Sequence, residues 1–312
     1  MRKYNRAAYL NIAVKALLFV TFVALSFCVF YCFLNLGILI SAAVAALFGS
    51  AVVFLFSYLL RYTAFYFKYY ILISGLLFRN SQGNVYCPCC GKRFEKFQDD
   101  RYYDDKRFNP STFSNSRQDV ICDCCRSAPR QRIIAEWAEQ NTELLNKSEI
   151  LYFAPELSMM LWFKRHGIKV KTADLFDRRT DLKLDLTALD LPDESVDIVF
   201  CNHVLEHVTD HSRALSELHR IIRKGGRLII SFPIDESLDE MIEDKECSVE
   251  DRIRLFGQCD HLRLFGKDSK MMLENAGFEA DTIDIRKMPE DIVPVTGPSD
   301  YDTNKIFCCI RK

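Results

Sequence analysis

Between Lys15 and Arg61 the chain runs for 45 residues without a charged side chain. No other feature limits the possible folds as strongly. A membrane-crossing helix needs roughly 20 apolar residues, so the run is long enough for two spans joined by a tight turn at Asn35-Leu36-Gly37, with helices expected over 11–34 and 38–60. Ala42, Ala46 and Ser50 lie four residues apart and would let the two helices approach closely. A cleaved signal peptide does not fit, because its apolar core covers only about 7–15 residues.

The charge distribution divides the chain at the same place. Residues 1–80 hold seven basic residues and no Asp or Glu; the other 232 carry 34 basic and 42 acidic groups, so the net −1 is the sum of +7 and −8. The basic residues flank the uncharged run on both sides and are missing from its turn, which predicts both termini on the cytoplasmic side of a membrane. Tyr62, Phe65, Tyr66, Phe67, Tyr69 and Tyr70 surround Lys68, a composition suited to an interfacial helix over 62–79. The acidic remainder excludes phosphate-backbone binding as the main task, and no nucleic-acid partner is expected.

Six of the 13 cysteines are concentrated in Cys87-Pro88-Cys89-Cys90 and Cys122-Asp123-Cys124-Cys125. Each cluster holds a C-x2-C pair, and four thiolates from Cys87, Cys90, Cys122 and Cys125 can surround one tetrahedral zinc ion. In a reducing cytosol disulfides are disfavoured, so a structural zinc ribbon is expected over 81–130. Cys89 and Cys124 are bystanders or alternative ligands. The insert Phe97–Gln118 is polar and aromatic.

From residue 131 to the end, apolar runs alternate with helical periodicity. Strands are expected at Ile150–Phe153, Ile168–Lys171, Leu182–Leu184, Ile198–Cys201 and Leu228–Phe232. Helices are expected at Arg130–Asn146, Met159–Arg165 and His211–Ile222, the last stopped by Gly225-Gly226. Asp281–Arg286 and Ile306–Ile310 close the chain as an antiparallel pair. This order implies an α/β fold with a doubly wound, mostly parallel Rossmann-like sheet. Ligands of such sheets lie beyond the carboxyl ends of the strands, which draws attention to Asp174, Asp185, Asn202, His203, Glu206 and His207. Asp174 stands where a carboxylate can accept ribose hydroxyls. A nicotinamide-dependent oxidoreductase is disfavoured by the missing G-x-G-x-x-G.

The series Leu191-Pro192-Asp193-Glu194-Ser195-Val196-Asp197-Ile198-Val199, Val204-Leu205-Glu206-His207-Val208 and Lys224-Gly225-Gly226 resembles class I S-adenosylmethionine-dependent methyltransferases. It looks closest to the group containing quinone-biosynthesis enzymes. With the cysteine pairs, Ala154-Pro155-Glu156 and Phe256–Arg263, the chain is also similar to a bacterial zinc-ribbon methyltransferase subgroup. The resemblance implies S-adenosyl-L-methionine as cofactor, held by Ala154, Glu156, Asp174, Asp185, Leu186 and Asn202. It also implies an acceptor region around Asp260 and Arg263, with His261, His203 or His207 as base. One departure stands out: the family's glycine-rich first turn reads Phe153-Ala154-Pro155-Glu156, without glycine. The implied function is methyl transfer to oxygen or nitrogen of a membrane-associated acceptor, such as a lipid-linked glycan or a quinone-like lipid. The alternative is a non-catalytic membrane scaffold with a degenerate fold and a partner-binding ribbon.

Overall fold

A computed structural model describes residues 75, 76, 78, 81–99, 119–283, 288–292 and 305–312. The expected spans, nearly all of the interfacial helix and most of the 97–118 insert lie outside them. Among the described residues no helix is long and apolar enough to cross a membrane. The chain divides into two compact units, Met1–Asn80 and Ser81–Lys312. Both cysteine pairs and every strand among the described residues belong to the second unit.

That unit begins with a hairpin of β1 (Val85–Cys87) and β2 (Lys92–Phe94), paired antiparallel. Its turn carries the first cysteine pair. Gly91 takes φ 68, and its amide donates to the Cys87 carbonyl at 2.7 Å. Such a left-handed turn residue is favoured as glycine. After the second cysteine pair come α1 (Pro129–Gln140) and α2 (Thr142–Asn146). A single helix over Arg130–Asn146 is therefore corrected to two, broken at Asn141, whose side chain donates to the Trp137 carbonyl at 2.7 Å.

The main sheet contains β3 (Ile150–Phe153), β4 (Lys171–Asp174), β5 (Leu182–Lys183), β6 (Val196–Asn202), β7 (Ile222–Ser231), β10 (Phe278–Thr282) and β11 (Ile306–Arg311). Its spatial order is β10-β11-β7-β6-β3-β4-β5. β5, β4, β3, β6 and β7 run parallel, while β11 is antiparallel to both β7 and β10. The expected mostly parallel sheet with an antiparallel terminal pair is what the chain forms. The helices are α3 (Leu157–His166), between β3 and β4, and α4 (His211–Ile221), between β6 and β7. Beyond β7 lie α5 (Val249–Phe256), α6 (Ser269–Asn275) and a small antiparallel pair of β8 (Ile242–Glu243) with β9 (Arg263–Leu264).

The central strands are apolar on both faces because both faces are covered. Tyr152 of β3 and Phe200 of β6 pack with Trp137 of α1 and Phe163 of α3, ring centroids 5.3–6.3 Å apart. Leu151, Phe153, Val199 and Cys201 alternate to the opposite face and join Leu215, Leu218 and Ile221 of α4 in a second cluster.

Three expected boundaries move for identifiable reasons. Ile168 belongs to the end of α3 and not to a strand: Gly167 takes φ 67, and the Ile168 amide returns to the Phe163 carbonyl at 3.0 Å. This is a Schellman closure, and it delays β4 to Lys171. The glycine pair does not stop α4, whose cap is the extended Ile222. It lies instead within β7, where pairing to β6 jumps from Val196–Ile222 to Ile198–Arg227. The last strand pair begins at Phe278, immediately after Gly277 at φ 97, rather than at Asp281.

A Cβ at Gly226 would lie 2.6 Å from the Asp197 carbonyl oxygen. Backbone on both sides leaves little room to yield, so Gly226→Ala should destabilise the protein by about 1–3 kcal/mol. Thermal unfolding checks this; an unchanged midpoint would contradict the close approach of β7 to β6.

Candidate active site

Strand order reverses direction between β3 and β6. The connection from β3 through α3 leads to one side, and that from β6 through α4 leads to the other. A crevice forms at such a switch point beyond the carboxyl ends of the strands. Its two lips are Ala154-Pro155-Glu156 after β3 and Asn202-His203 at the end of β6.

The first lip has the backbone of a glycine turn without the glycine. Ala154 takes φ 46 and donates its amide to the Ala173 carbonyl at 2.9 Å. A left-handed conformation costs a non-glycine residue roughly 1–2 kcal/mol, so the surroundings must hold it. Glu156 supplies much of that hold. Arg130 of α1 donates to its Oε1 at 2.7 Å, Gln131 donates to the same oxygen, and the Tyr152 hydroxyl donates to Oε2 at 3.2 Å. Burial raises the carboxyl's pKa, but Arg130, His203 and the bonds from Arg130 and Gln131 outweigh it, leaving Glu156 below the ordinary range. Nothing in the sequence pattern points to these partners.

Asp174 ends β4, and its Oδ1 accepts the amides of Phe176 at 2.7 Å and Asp177 at 2.8 Å. That Asx-type turn leaves the second carboxylate oxygen as an acceptor. Asp185 follows β5 and is exposed, with Oδ1 taken by the amide and hydroxyl of Thr187. Leu186 beside it is buried. Asn202 is buried, accepts from the Ser231 hydroxyl at 2.9 Å, and has an Nδ2 with no hydrogen-bond partner among the described residues.

Beyond Asn202 the chain turns at His203, φ 53. Glu206 is wholly buried, with His203 Nδ1 at 3.1 Å from its Oε1. Burial raises the Glu206 carboxyl, but the His203 bond and the charges of His203, His207 and His261 bring it below the ordinary range. His207 and His261 meet edge-to-face at 4.8 Å. The structure thus gathers all three candidate histidines around one buried acid.

Two expected pairings change. By sequence Asp260 stands to orient His261, yet its carboxylate lies 3.4 Å from His207 Nδ1, and His261 Nδ1 donates to the Phe256 carbonyl at 2.9 Å. By sequence Arg263 stands to hold an anionic acceptor. Its guanidinium is instead fully buried, bonds Glu243 at 2.7 Å, and donates to the carbonyls of Leu205 and Thr209. It clamps the β8–β9 pair to the 205–209 turn.

The four cysteine sulfurs of Cys87, Cys90, Cys122 and Cys125 are buried and lie within 4.8 Å of one another, with Cys87–Cys125 at 3.6 Å and Cys90–Cys122 at 3.8 Å. They could hold one tetrahedral ion. Cys89 instead contacts the Gln131 carbonyl at 3.5 Å. Arg132, fully buried, donates to the carbonyls of Val120, Ser127 and Ile292 and stacks on Phe97 at 4.0 Å. Its charge is suited to compensate thiolates. Arg165 of α3 donates to the Pro88 carbonyl at 2.8 Å, tying the knuckle to the helix that follows the first lip.

Residues 158–230 match the family model described as a methyltransferase domain. A malonyl-[acyl-carrier protein] O-methyltransferase of Yersinia pestis is 42% identical over 57 residues, 18% of this chain and 21% of that protein. A ubiquinone/menaquinone biosynthesis C-methyltransferase of Escherichia coli is 30% identical over 107 residues, 30% of this chain and 43% of that protein. A solved S-adenosylmethionine-dependent methyltransferase from Mesorhizobium loti is 18% identical, with TM-score 0.38, over 56% of this chain and 97% of that one. The matches therefore span less than half the length of these two curated relatives. Residues 158–230 thus match a methyltransferase domain and lie within a Rossmann-like sheet.

The depressed pKa of Glu156 has a consequence for stability. Its contribution is complete above the ordinary glutamate pKa and is lost as pH falls through the lower folded value. Glu156→Gln should lower stability by about 2 kcal/mol at neutral pH, the scale of hydrogen bonds to a charged group. It should also flatten the acid side of the stability–pH profile, measured by denaturant unfolding. Parallel profiles for the two proteins would contradict this role for Glu156.

Proposed function

We propose that this protein transfers a methyl group from S-adenosyl-L-methionine to an oxygen or nitrogen atom of a membrane-associated acceptor at the cytoplasmic face. The observation that carries the reading is the ordered set at the β3/β6 switch point: Asp174, Asp185 and Asn202 at successive strand ends, within and beside a matched methyltransferase domain. The bound cofactor would supply an electrophilic methyl on a sulfonium, with the leaving electron pair returning to sulfur. The free oxygen of Asp174 would accept from the ribose, and Asp185 with Leu186 would flank the adenine. The buried Nδ2 of Asn202 is a further donor for the crevice. With Glu156 already held by Arg130 and Gln131, its negative charge is compensated within the protein and need not repel the cofactor's carboxylate.

The His203–Glu206–His207–His261 cluster adjoins the second lip. Of these histidines, His207 has the most exposed side chain, so it is the one best able to meet an acceptor. The uncharged 45-residue run and its basic flanks support two membrane spans, and an anchor suits a lipid-linked glycan or quinone-like acceptor. The four-sulfur cluster with Arg132 beside it supports a closed, structural zinc site. A non-catalytic scaffold is the second reading, favoured by the glycine-free first lip.

Incubating the protein and labelled cofactor with membrane extract tests the proposal. Label should enter a lipid or glycan fraction, and Asp174→Ala should weaken cofactor binding by about 1–3 kcal/mol. No transfer above the Asp174→Ala background in any fraction would favour the scaffold. Separately, Cys87→Ser should lose bound zinc and stability; stoichiometric zinc at that site in the variant would overturn the ligand assignment.

A further inference from the structure

The geometry points to a second metal site, built by Glu206, His207 and His261 at the acceptor side of the crevice: two imidazoles and a carboxylate holding one divalent transition-metal ion. The three side chains each offer one ligand atom, and these atoms lie within 4.8 Å of one another.

The two histidines are arranged as ligands are. His261 Nδ1 faces the Phe256 carbonyl at 2.9 Å, and His207 Nδ1 faces the Asp260 carbonyl at 3.2 Å and carboxylate at 3.4 Å. A carbonyl only accepts, so Nδ1 carries the proton in both rings. Nε2 then keeps its lone pair. Metal-bound histidines characteristically donate the other ring N–H to a carbonyl or carboxylate, which fixes tautomer and orientation. The third donor, Glu206, is fully buried; His203 pairs with its Oε1, and Oε2 has no hydrogen-bond partner among the described residues. A buried carboxylate bonded at one oxygen only still carries a desolvation cost, which a cation would offset. His203 Nδ1, 3.1 Å from Oε1, is placed to steady that carboxylate from outside the ligand set.

Two imidazoles and one carboxylate suit zinc or a neighbouring divalent ion and exclude calcium and magnesium as preferred occupants. Three protein ligands leave a coordination position open, as catalytic sites do and closed four-sulfur sites do not. His207 lies on the exposed side of the group, so that position would face the acceptor. Resting on the methyltransferase reading, the ion would bind a hydroxyl-bearing acceptor through oxygen and make that oxygen easier to ionise. The acceptor class is then an alcohol or phenol in preference to an amine.

Metal content separates this from a plain histidine–carboxylate cluster. The purified full chain is equilibrated with Zn2+ or Co2+, dialysed, and assayed by elemental mass spectrometry, without cofactor or acceptor. Wild type should retain one equivalent more than Glu206→Gln and His207→Ala, while thiolate-to-cobalt absorption from the cysteine site stays unchanged. His207 is partly exposed, so its variant remains informative if Glu206→Gln fails to fold. Equal metal content in wild type and each folded variant would overturn the site. The readout needs no methyl transfer, so a metal site without activity would refute the enzymatic reading alone, and activity without the extra equivalent would refute the metal site alone.

Discussion

The carboxylate of Glu156 is the point on which the rest of the crevice depends. It stands just beyond β3, where the resembled family turns on glycines, and it is bonded by Arg130 and Gln131 from α1 and by Tyr152 from β3. A partly buried charge of this kind is tolerable only while its partners are in place. Those partners in turn fix Ala154 in a left-handed conformation that it would not choose alone. The crevice is thus shaped here by side-chain bonding around a turn that contains no glycine.

The same network explains why the cysteine hairpin belongs to the compact unit of the sheet. Arg130 and Gln131 follow the second cysteine pair by only a few residues. Cys89 contacts the Gln131 carbonyl, Arg165 of α3 binds the knuckle carbonyls, and Arg132 anchors the second knuckle from within. The cysteines therefore sit at one end of a short chain of contacts, and the first lip sits at the other. Glu206 plays a parallel part on the second lip, where three histidines converge on one buried acid.

What could be read from residues alone follows a physical pattern. β3 and β6 are legible because both faces are buried and their apolar runs are continuous. The terminal antiparallel pair is legible as two runs with apolar residues that close the chain. Ile168 misleads because an apolar residue closing a helix looks like the start of a strand. The glycine pair misleads because a strand irregularity uses the same residue type as a helix stop. Asp174, Asp185 and Asn202 can be placed from strand ends. Arg263 cannot, since its partners Leu205 and Glu243 are distant in sequence and its motif gives no sign of burial. The Glu156 partners share that obstacle: the contact spans 25 and 26 residues and depends on how α1 lies against β3.

If an internally bonded Glu156 maintains a working crevice, the intact protein should bind the cofactor despite lacking glycine in the first lip. Titration calorimetry of the full chain with S-adenosylmethionine, and with its demethylated product S-adenosylhomocysteine, measures this directly. Saturable binding of both ligands at one site per chain is the expected result. No heat of binding from either ligand at millimolar concentration would contradict it and leave the domain a scaffold.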